Sequence, residues 1–416
     1  MQFAGIDLST ALAYSPVMPS PPLALSNLIR AEILANNGFL PFERYMHLAL
    51  YAPGLGYYAR EIPMGSDEGS GRQSSDFVTA PELTPLFGQT VARQIAQLFA
   101  QGIAPQILEF GAGTGKLARD ILQALAQLGF TQVQYQILEV SSRLRHTQQS
   151  LLQPLGLQVQ WLDTLPVTFE GIMLGNEVLD AMPVSVFTLR NHTLYERGVG
   201  LEQDALVWKE KKADKKSFTA ISMRLSEQKW FKNCIEIADK DNFSAQAVVS
   251  DTSYVSEIAW QAQAFVQTIS TILRKGALLF IDYGFPAAEF YHWQRNTGTL
   301  MCFTHHRTHS DVLHAPGQQD ITAHVDFSAI AQAAAQGGAQ LAGYVSQARF
   351  LMNSGLLELA AALPQEDRVA YARAIAPVQK LLSEAEMGEL FKVIAFIKGI
   401  DVSLLGFERG DRSGTL

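Results

Sequence analysis

The run of residues best suited to chemistry in this 416-residue chain is Glu109-Phe110-Gly111-Ala112-Gly113-Thr114-Gly115. An acidic residue and three glycines at alternate positions close a short apolar stretch and open a helical one. At a strand–turn–helix junction of this kind, backbone N–H groups at the start of the helix meet the polar groups of a ligand. A dinucleotide fingerprint would place its third glycine at position 116, which is Lys116. Glu109, two residues before the first glycine, would repel a pyrophosphate and attract an ammonium group. The methionine end of S-adenosylmethionine carries such a group, so Glu109, Gly111, Gly113 and Gly115 are expected to bind that cofactor. Glu139, at the end of the next apolar stretch, is placed to accept hydrogen bonds from both ribose hydroxyls. Asp163, after the third, is placed to reach the adenine amino group or, equally, to cap the segment that follows it.

These residues need a scaffold that brings strand ends together. Apolar runs at 106–110, 133–140, 157–161 and 171–174 read as strands, and 117–128 and 141–152 as amphipathic helices, the second N-capped by Ser141. Alternation at this spacing predicts a doubly wound, mostly parallel α/β sheet. Ahead of it, residues 25–50 read as two helices divided at Gly38 and Pro41. The segment Tyr51-Ala52-Pro53-Gly54-Leu55-Gly56-Tyr57-Tyr58 reads as an aromatic turn, 61–75 as a Gly/Ser-rich linker, and 81–101 as a helix. Residues 184–256 read as a β-rich insertion with strands at 184–189, 193–198, 205–208 and 219–224. Hairpin turns are expected at Asn191-His192 and at the charge run 209–216. A helix over 258–274, a strand over 276–282 and a last strand over 388–399 resume the pattern. The expected divisions are a helical, cofactor-covering extension (1–100), a first half of the core (101–183), the insertion (184–256) and a second half (257–416) with an acceptor-site loop at 284–326.

Composition narrows the classes. A chain that is 48% hydrophobic and 17% charged can bury a core. Its net charge of −8 does not advertise a nucleic-acid surface. Two cysteines, Cys234 and Cys302, have no zinc-ligand spacing and fit a reducing compartment. No basic residue precedes Arg30, and no apolar run reaches the ~20 residues of a membrane span. A cytoplasmic location without membrane insertion is the expectation.

Five segments resemble the MidA-like family, bacterial relatives of the mitochondrial complex I assembly methyltransferase. They are Asp76-Phe77-Val78-Thr79-Ala80-Pro81-Glu82-Leu83 with Phe87-Gly88; 108–117; 135–144; Gly175-Asn176-Glu177-Val178-Leu179-Asp180-Ala181-Met182-Pro183-Val184; and Phe280-Ile281-Asp282-Tyr283-Gly284 running on to Gly298-Thr299-Leu300 and Asp320-Ile321-Thr322-Ala323-His324-Val325-Asp326-Phe327. Met182 stands where leucine is commoner in the family, a swap that conserves volume. The resemblance implies a class I, Rossmann-like methyltransferase fold with extra N-terminal helices, and Thr79 or Glu82 at the methionine end of the cofactor. The mitochondrial member is a protein arginine methyltransferase, which implies a protein acceptor, a respiratory-complex subunit being one candidate. A homodimer is compatible with the sequence.

In an open α/β sheet, Asn176-Glu177 and Asp282-Tyr283 would lie at strand ends beside Glu109 and Glu139. An arginine acceptor arrives as a cation, so carboxylates that grip its guanidinium would orient one nitrogen toward the methyl group. Glu177 is the first candidate, with Asp180 or Asp282 as a second carboxylate. Five histidines, His305, His306, His309, His314 and His324, fall within twenty residues. Without a His-Glu-x-x-His pattern they read as part of a loop over the cleft and not as a metal site, with His324 and Asp320 lining the acceptor pocket. Competing readings are a scaffolding protein that keeps the cofactor as a structural ligand, and a nicotinamide oxidoreductase, against which Lys116 and Glu109 argue.

Overall fold

The computed structural model describes residues 21–60, 79–226, 228, 231, 253–304 and 307–416. Helix α1 (Pro21–Ala35) and helix α2 (Phe42–Tyr51) flank strand β1 (Leu40–Pro41), with Gly38 at φ 81° and Pro41 at the start of α2 marking the division. Leu25, Ile29 and Ile33, at helical spacing, pack on Tyr45, Met46 and Ala49. Residues 61–75 lie outside the described residues. The expected helix over 81–101 is broken into α3 (Ala80–Leu83) and α4 (Pro85–Ala100). Pro85 forces the preceding Thr84 into extended backbone (φ −161°), and the Thr84 hydroxyl then accepts from Leu86 N–H at 3.3 Å.

The core follows as β2 (Gln106–Phe110), α5 (Lys116–Gln127), β3 (Gln134–Leu138), α6 (Ser142–Leu152), β4 (Val159–Leu162) and β5 (Phe169–Asn176). The Ser141 hydroxyl caps α6 by accepting from Leu144 N–H. Strands β6 (Ser185–Arg190), β7 (Thr193–Glu202), β8 (Ala205–Lys212) and β9 (Tyr254–Ile258), with helix α7 (Lys215–Leu225), form the insertion. The chain returns through the Trp260–Ile272 helix to β10 (Leu273–Phe285), then β11 (Met301–Thr304), β12 (Arg307–His309), β13 (Asp320–Thr322), β14 (Val325–Asp326), β15 (Gln340–Ser346) and β16 (Phe391–Lys398). The main sheet runs β15-β16-β10-β5-β2-β3-β4. Pairings from β10 through β4 are parallel, whereas β16 is antiparallel to both its neighbours. Alternate residues of β10 feed two cores: Ala277, Leu279 and Ile281 face the α4–α5 side, and Leu278 and Phe280 the opposite side. This is the doubly wound class I architecture that the pattern predicts.

Two expectations in the insertion are corrected. Residues 219–224 are helical, not a strand, because Asp214 caps α7 by accepting from Ser217 N–H at 2.7 Å. The run 209–216 is not a hairpin tip: its first part is the end of β8, its last the start of α7. The tip is Gln203-Asp204 (φ 47° and 75°), while the Asn191-His192 tip forms as expected (φ 48° and 60°). The insertion sheet also recruits β1, which pairs with β7. Ile258 ends β9 opposite Ser185, so the helix after it begins at Trp260. The expected loop at 284–326 contains a small sheet, β12-β11-β13, and β14 pairs in parallel with the end of β10. Cys302 is buried there, and Cys234 lies outside the described residues. Among the described residues no helix is long and apolar enough to cross a membrane.

Candidate active site

The glycine turn joins β2 to α5 at the carboxyl edge of the sheet. Gly111, Gly113 and Gly115 have φ of 60°, 54° and 88°, the left-handed region that only glycine enters without strain. Gly115 packs against Gln148, to whose Cα an added Cβ would come within 3.4 Å. Gln148 is fully buried. Its amide donates to the Gly113 carbonyl and to Glu139 Oε2, both at 2.9 Å, and its Oε1 accepts from Trp161 Nε1. This residue escapes a search for motifs. Its signal is a polar side chain between Leu144 and Leu152 on the inward stripe of α6.

Glu109 is 1% exposed and accepts from the Tyr135 hydroxyl at 2.8 Å. Burial pushes its carboxyl up to about 8; the Tyr135 bond opposes the shift, and the nearby Glu139 charge adds to it. A carboxyl so placed is stabilised as an anion when a cation arrives. Glu139 accepts from Ser141 N–H through Oε1 and from Gln148 through Oε2, leaving each oxygen further lone-pair capacity for hydroxyl donors. The residues present therefore fit the expected cofactor: a left-handed turn presenting N–H groups, a buried carboxyl for the ammonium and an oriented carboxylate for the ribose.

Three expected contacts come out differently. Asp163 is 83% exposed and forms a surface ion pair with Arg145 at 2.5 Å. Glu82 reaches the turn itself, bonding the Thr114 hydroxyl and the Lys116 ammonium, and so braces the glycine turn from outside. Thr79 occupies the position before α3 without a side-chain cap bond. The segment thus packs against the glycine turn through Glu82.

At its carboxyl end β5 leads into a turn that reaches Asp180. Asn176 ends β5, and Glu177 follows in left-handed backbone at φ 53°, a conformation costly for a residue with a Cβ. The Glu177 N–H donates to Ile281 O at 2.8 Å, and Asn176 Nδ2 donates to Glu177 Oε1 at 3.1 Å. Burial first, then the Asp180 charge, pushes the Glu177 carboxyl up to about 8. Burial likewise raises Asp180 to about 6. Asp282 departs from its expected role. Its Oδ2 accepts from the N–H groups of Val178, Leu179 and Asp180 at 3.2, 2.9 and 3.3 Å, and Oδ1 from Tyr283 N–H at 2.9 Å. At 1% exposure this carboxylate anchors the Glu177 turn and is a positioning residue, not an acceptor ligand.

His324 stacks on Phe285 (5.3 Å, 3°) and meets the Tyr283 ring edge-on (5.1 Å). Its backbone N–H donates to Thr299 Oγ1. Burial and then the Arg295 charge lower its imidazole to about 4, which makes it a weak proton acceptor. His309 and His314 approach edge-on at 6.3 Å, while His305 and His306 lie outside the described residues. Among the described residues no group of three His, Cys, Asp or Glu side chains is arranged to hold a metal ion.

Residues 90–345, from α4 through most of β15, match the family model described as "Putative S-adenosyl-L-methionine-dependent methyltransferase". The chain belongs to the MidA-like class I methyltransferase family. It is similar to a crystal structure of a Burkholderia thailandensis protein bound to S-adenosyl-homocysteine. That likeness is 46% identical, covers 96% of this chain and all of the other, and has a TM-score of 0.82. A second Burkholderia thailandensis crystal structure is 45% identical over the same shares, with a TM-score of 0.80. Protein arginine methyltransferase NDUFAF7 of Danio rerio is 27% identical over 402 residues, covering 89% of this chain and 86% of that protein. As a MidA-like methyltransferase the chain takes S-adenosylmethionine as its cofactor.

Proposed function

We propose that this methyltransferase methylates the side chain of an arginine in a protein substrate, with Glu177 as the group that holds the guanidinium. The observation that carries the reading is Glu177 itself: a half-buried carboxyl in left-handed backbone just after β5, raised to about 8 beside Asp180. Relatives named as protein arginine methyltransferases support the choice of acceptor. Bound S-adenosylmethionine supplies an electrophilic methyl group. The chain's own residues then position and charge the acceptor.

Glu109, the glycine turn and Glu139 bind the cofactor in this reading, with Glu82 bracing the turn. An empty acceptor site keeps Glu177 protonated near neutral pH, and an entering guanidinium drives it to ionise. Asn176 orients the Glu177 carboxylate through its 3.1 Å bond, and the four N–H groups on Asp282 fix the turn. The acceptor must lose a proton as its nitrogen is methylated. Asp180, at about 6, takes it better than His324, at about 4.

The test uses Glu177→Gln with a labelled methyl donor and cell extract. Transfer to protein is expected to fall at least ~100-fold while S-adenosyl-homocysteine affinity stays within ~2-fold. The label in wild-type product should co-elute with methylated arginine after acid hydrolysis. Label confined to small molecules would contradict a protein acceptor.

A further inference from the structure

The turn after α2 brings two tyrosines into the acceptor side of the cleft. The chain folds back on the end of α2, with Tyr57 N–H donating to Ala49 O and Tyr58 N–H to Leu50 O, both at 2.9 Å. Only glycine permits this at position 56, where a Cβ would lie 2.6 Å from the backbone of Leu50, Tyr51 and Ala52. The fold-back stacks the rings of Tyr51 and Tyr58 at 5.5 Å and 23°. Each hydroxyl then reaches a different part of the site. Tyr51 donates to Ala181 O at 2.9 Å, one residue beyond Asp180. Tyr58 donates to the Asp320 carboxylate, 2.9 Å from both oxygens and 262 residues away in the chain. The Tyr58 carbonyl accepts from the Ser141 hydroxyl at 2.5 Å, beside Glu139.

These bonds tie the end of α2 to the Asp180–Ala181 turn, to Asp320 and to Ser141 beside Glu139. Burial first, then the Asp320 charge, pushes both phenols well above their ordinary range, so each hydroxyl remains a donor. The Asp180 charge acts on Tyr51, Tyr58 and Glu177 alike, and Asp320 acts on Glu177 as well. Two stacked rings and converging carboxylates are complementary to a flat, delocalised cation. A guanidinium presents five N–H donors in one plane, can engage two carboxylates at once, and stacks on aromatic faces. The compact, strongly hydrated ammonium of lysine does neither as well.

We propose that Asp320, oriented by Tyr58, is the second carboxylate of the acceptor site, and that with the Tyr51–Tyr58 stack it selects a guanidinium over an ammonium. This rests on the arginine reading given above. In it Asp320 touches the acceptor, whereas Tyr58 acts through Asp320 and is a positioning residue.

The experiment titrates two synthetic pentapeptides, identical except for a central arginine or lysine, into the full chain saturated with S-adenosyl-homocysteine. Wild type is expected to prefer the arginine peptide by ~10-fold or more. Asp320→Asn should weaken arginine-peptide binding by ~10-fold and bring the two peptides within ~2-fold of each other. Tyr58→Phe should lose ~3-fold on the arginine peptide alone, as expected for one lost orienting hydrogen bond. Both variants should bind S-adenosyl-homocysteine as wild type does. If Asp320→Asn does not fold, Tyr58→Phe carries the test by itself. Wild-type preference for arginine that survives unchanged in the folded variants overturns this proposal and leaves the arginine reading standing. Wild type that binds neither peptide, or both equally, overturns the arginine reading and this proposal with it.

Discussion

The two halves of the active site are built in opposite ways. The cofactor half is local: Glu109, the glycine turn, Glu139 and Gln148 all come from β2 through α6, within forty residues of one another. Its parts are tied by short-range bonds, Gln148 to Gly113 and Glu139, Ser141 to Glu139. The proposed acceptor half is assembled from distant pieces: Tyr51 at the end of α2 and Tyr58 after it, Glu177 and Asp180 after β5, Asp282 in β10, and Asp320 in the small sheet. Their charges also differ. Glu82 on the cofactor side meets Lys116, whereas Glu177, Asp180 and Asp282 crowd together and are all raised by burial and by one another. With Glu177 raised to about 8, the crowded half-site holds a proton there when empty and is set to ionise when a cation enters. The difference suggests that the cofactor half is rigid recognition and the acceptor half a charge trap completed by its ligand.

The largest effect separating the halves belongs to Glu109. Glu109→Ala should weaken S-adenosyl-homocysteine binding by about 2–3 kcal/mol, roughly 30- to 150-fold, the value of a charge-assisted hydrogen bond in a buried site. Isothermal titration checks it, and an unchanged affinity would remove Glu109 from the cofactor half. The smallest expected effect sharpens the boundary on the other side. Asp163→Ala breaks an exposed pair with Arg145, so both stability and cofactor affinity should move by less than ~1 kcal/mol in urea unfolding and titration. A tenfold loss of cofactor affinity in that variant would restore the adenine contact to Asp163.

How much was legible in the sequence follows the same division. The glycine turn and the strands around it are legible because their signals are local: a continuous apolar run in β10, a glycine at each left-handed position of the turn, Ser141 at the head of α6. The sheet order was accessible only as a class, since nothing local reveals that β16 slips in antiparallel between β10 and β15. The helix at Lys215–Leu225 was hidden by Phe218, Thr219 and Ile221, whose β preference conceals the Asp214 cap. Asp282 was located at the right strand end but misread in role, because position along the chain does not say whether a carboxylate turns toward a cleft or toward four backbone N–H groups. The bond from Tyr58 to Asp320 spans most of the chain and leaves no mark in local pattern. Only the fold creates it.

The central claim is that the Glu177 turn stores a proton that a guanidinium displaces. Calorimetry of the arginine pentapeptide binding to the S-adenosyl-homocysteine-loaded protein at pH 7, repeated in buffers of different ionisation heat, counts protons released. With Glu177 at about 8 in the empty site, wild type should release roughly one proton per peptide bound, and Glu177→Gln close to none. Wild-type binding with no proton release, or equal release by Glu177→Gln, would contradict the account.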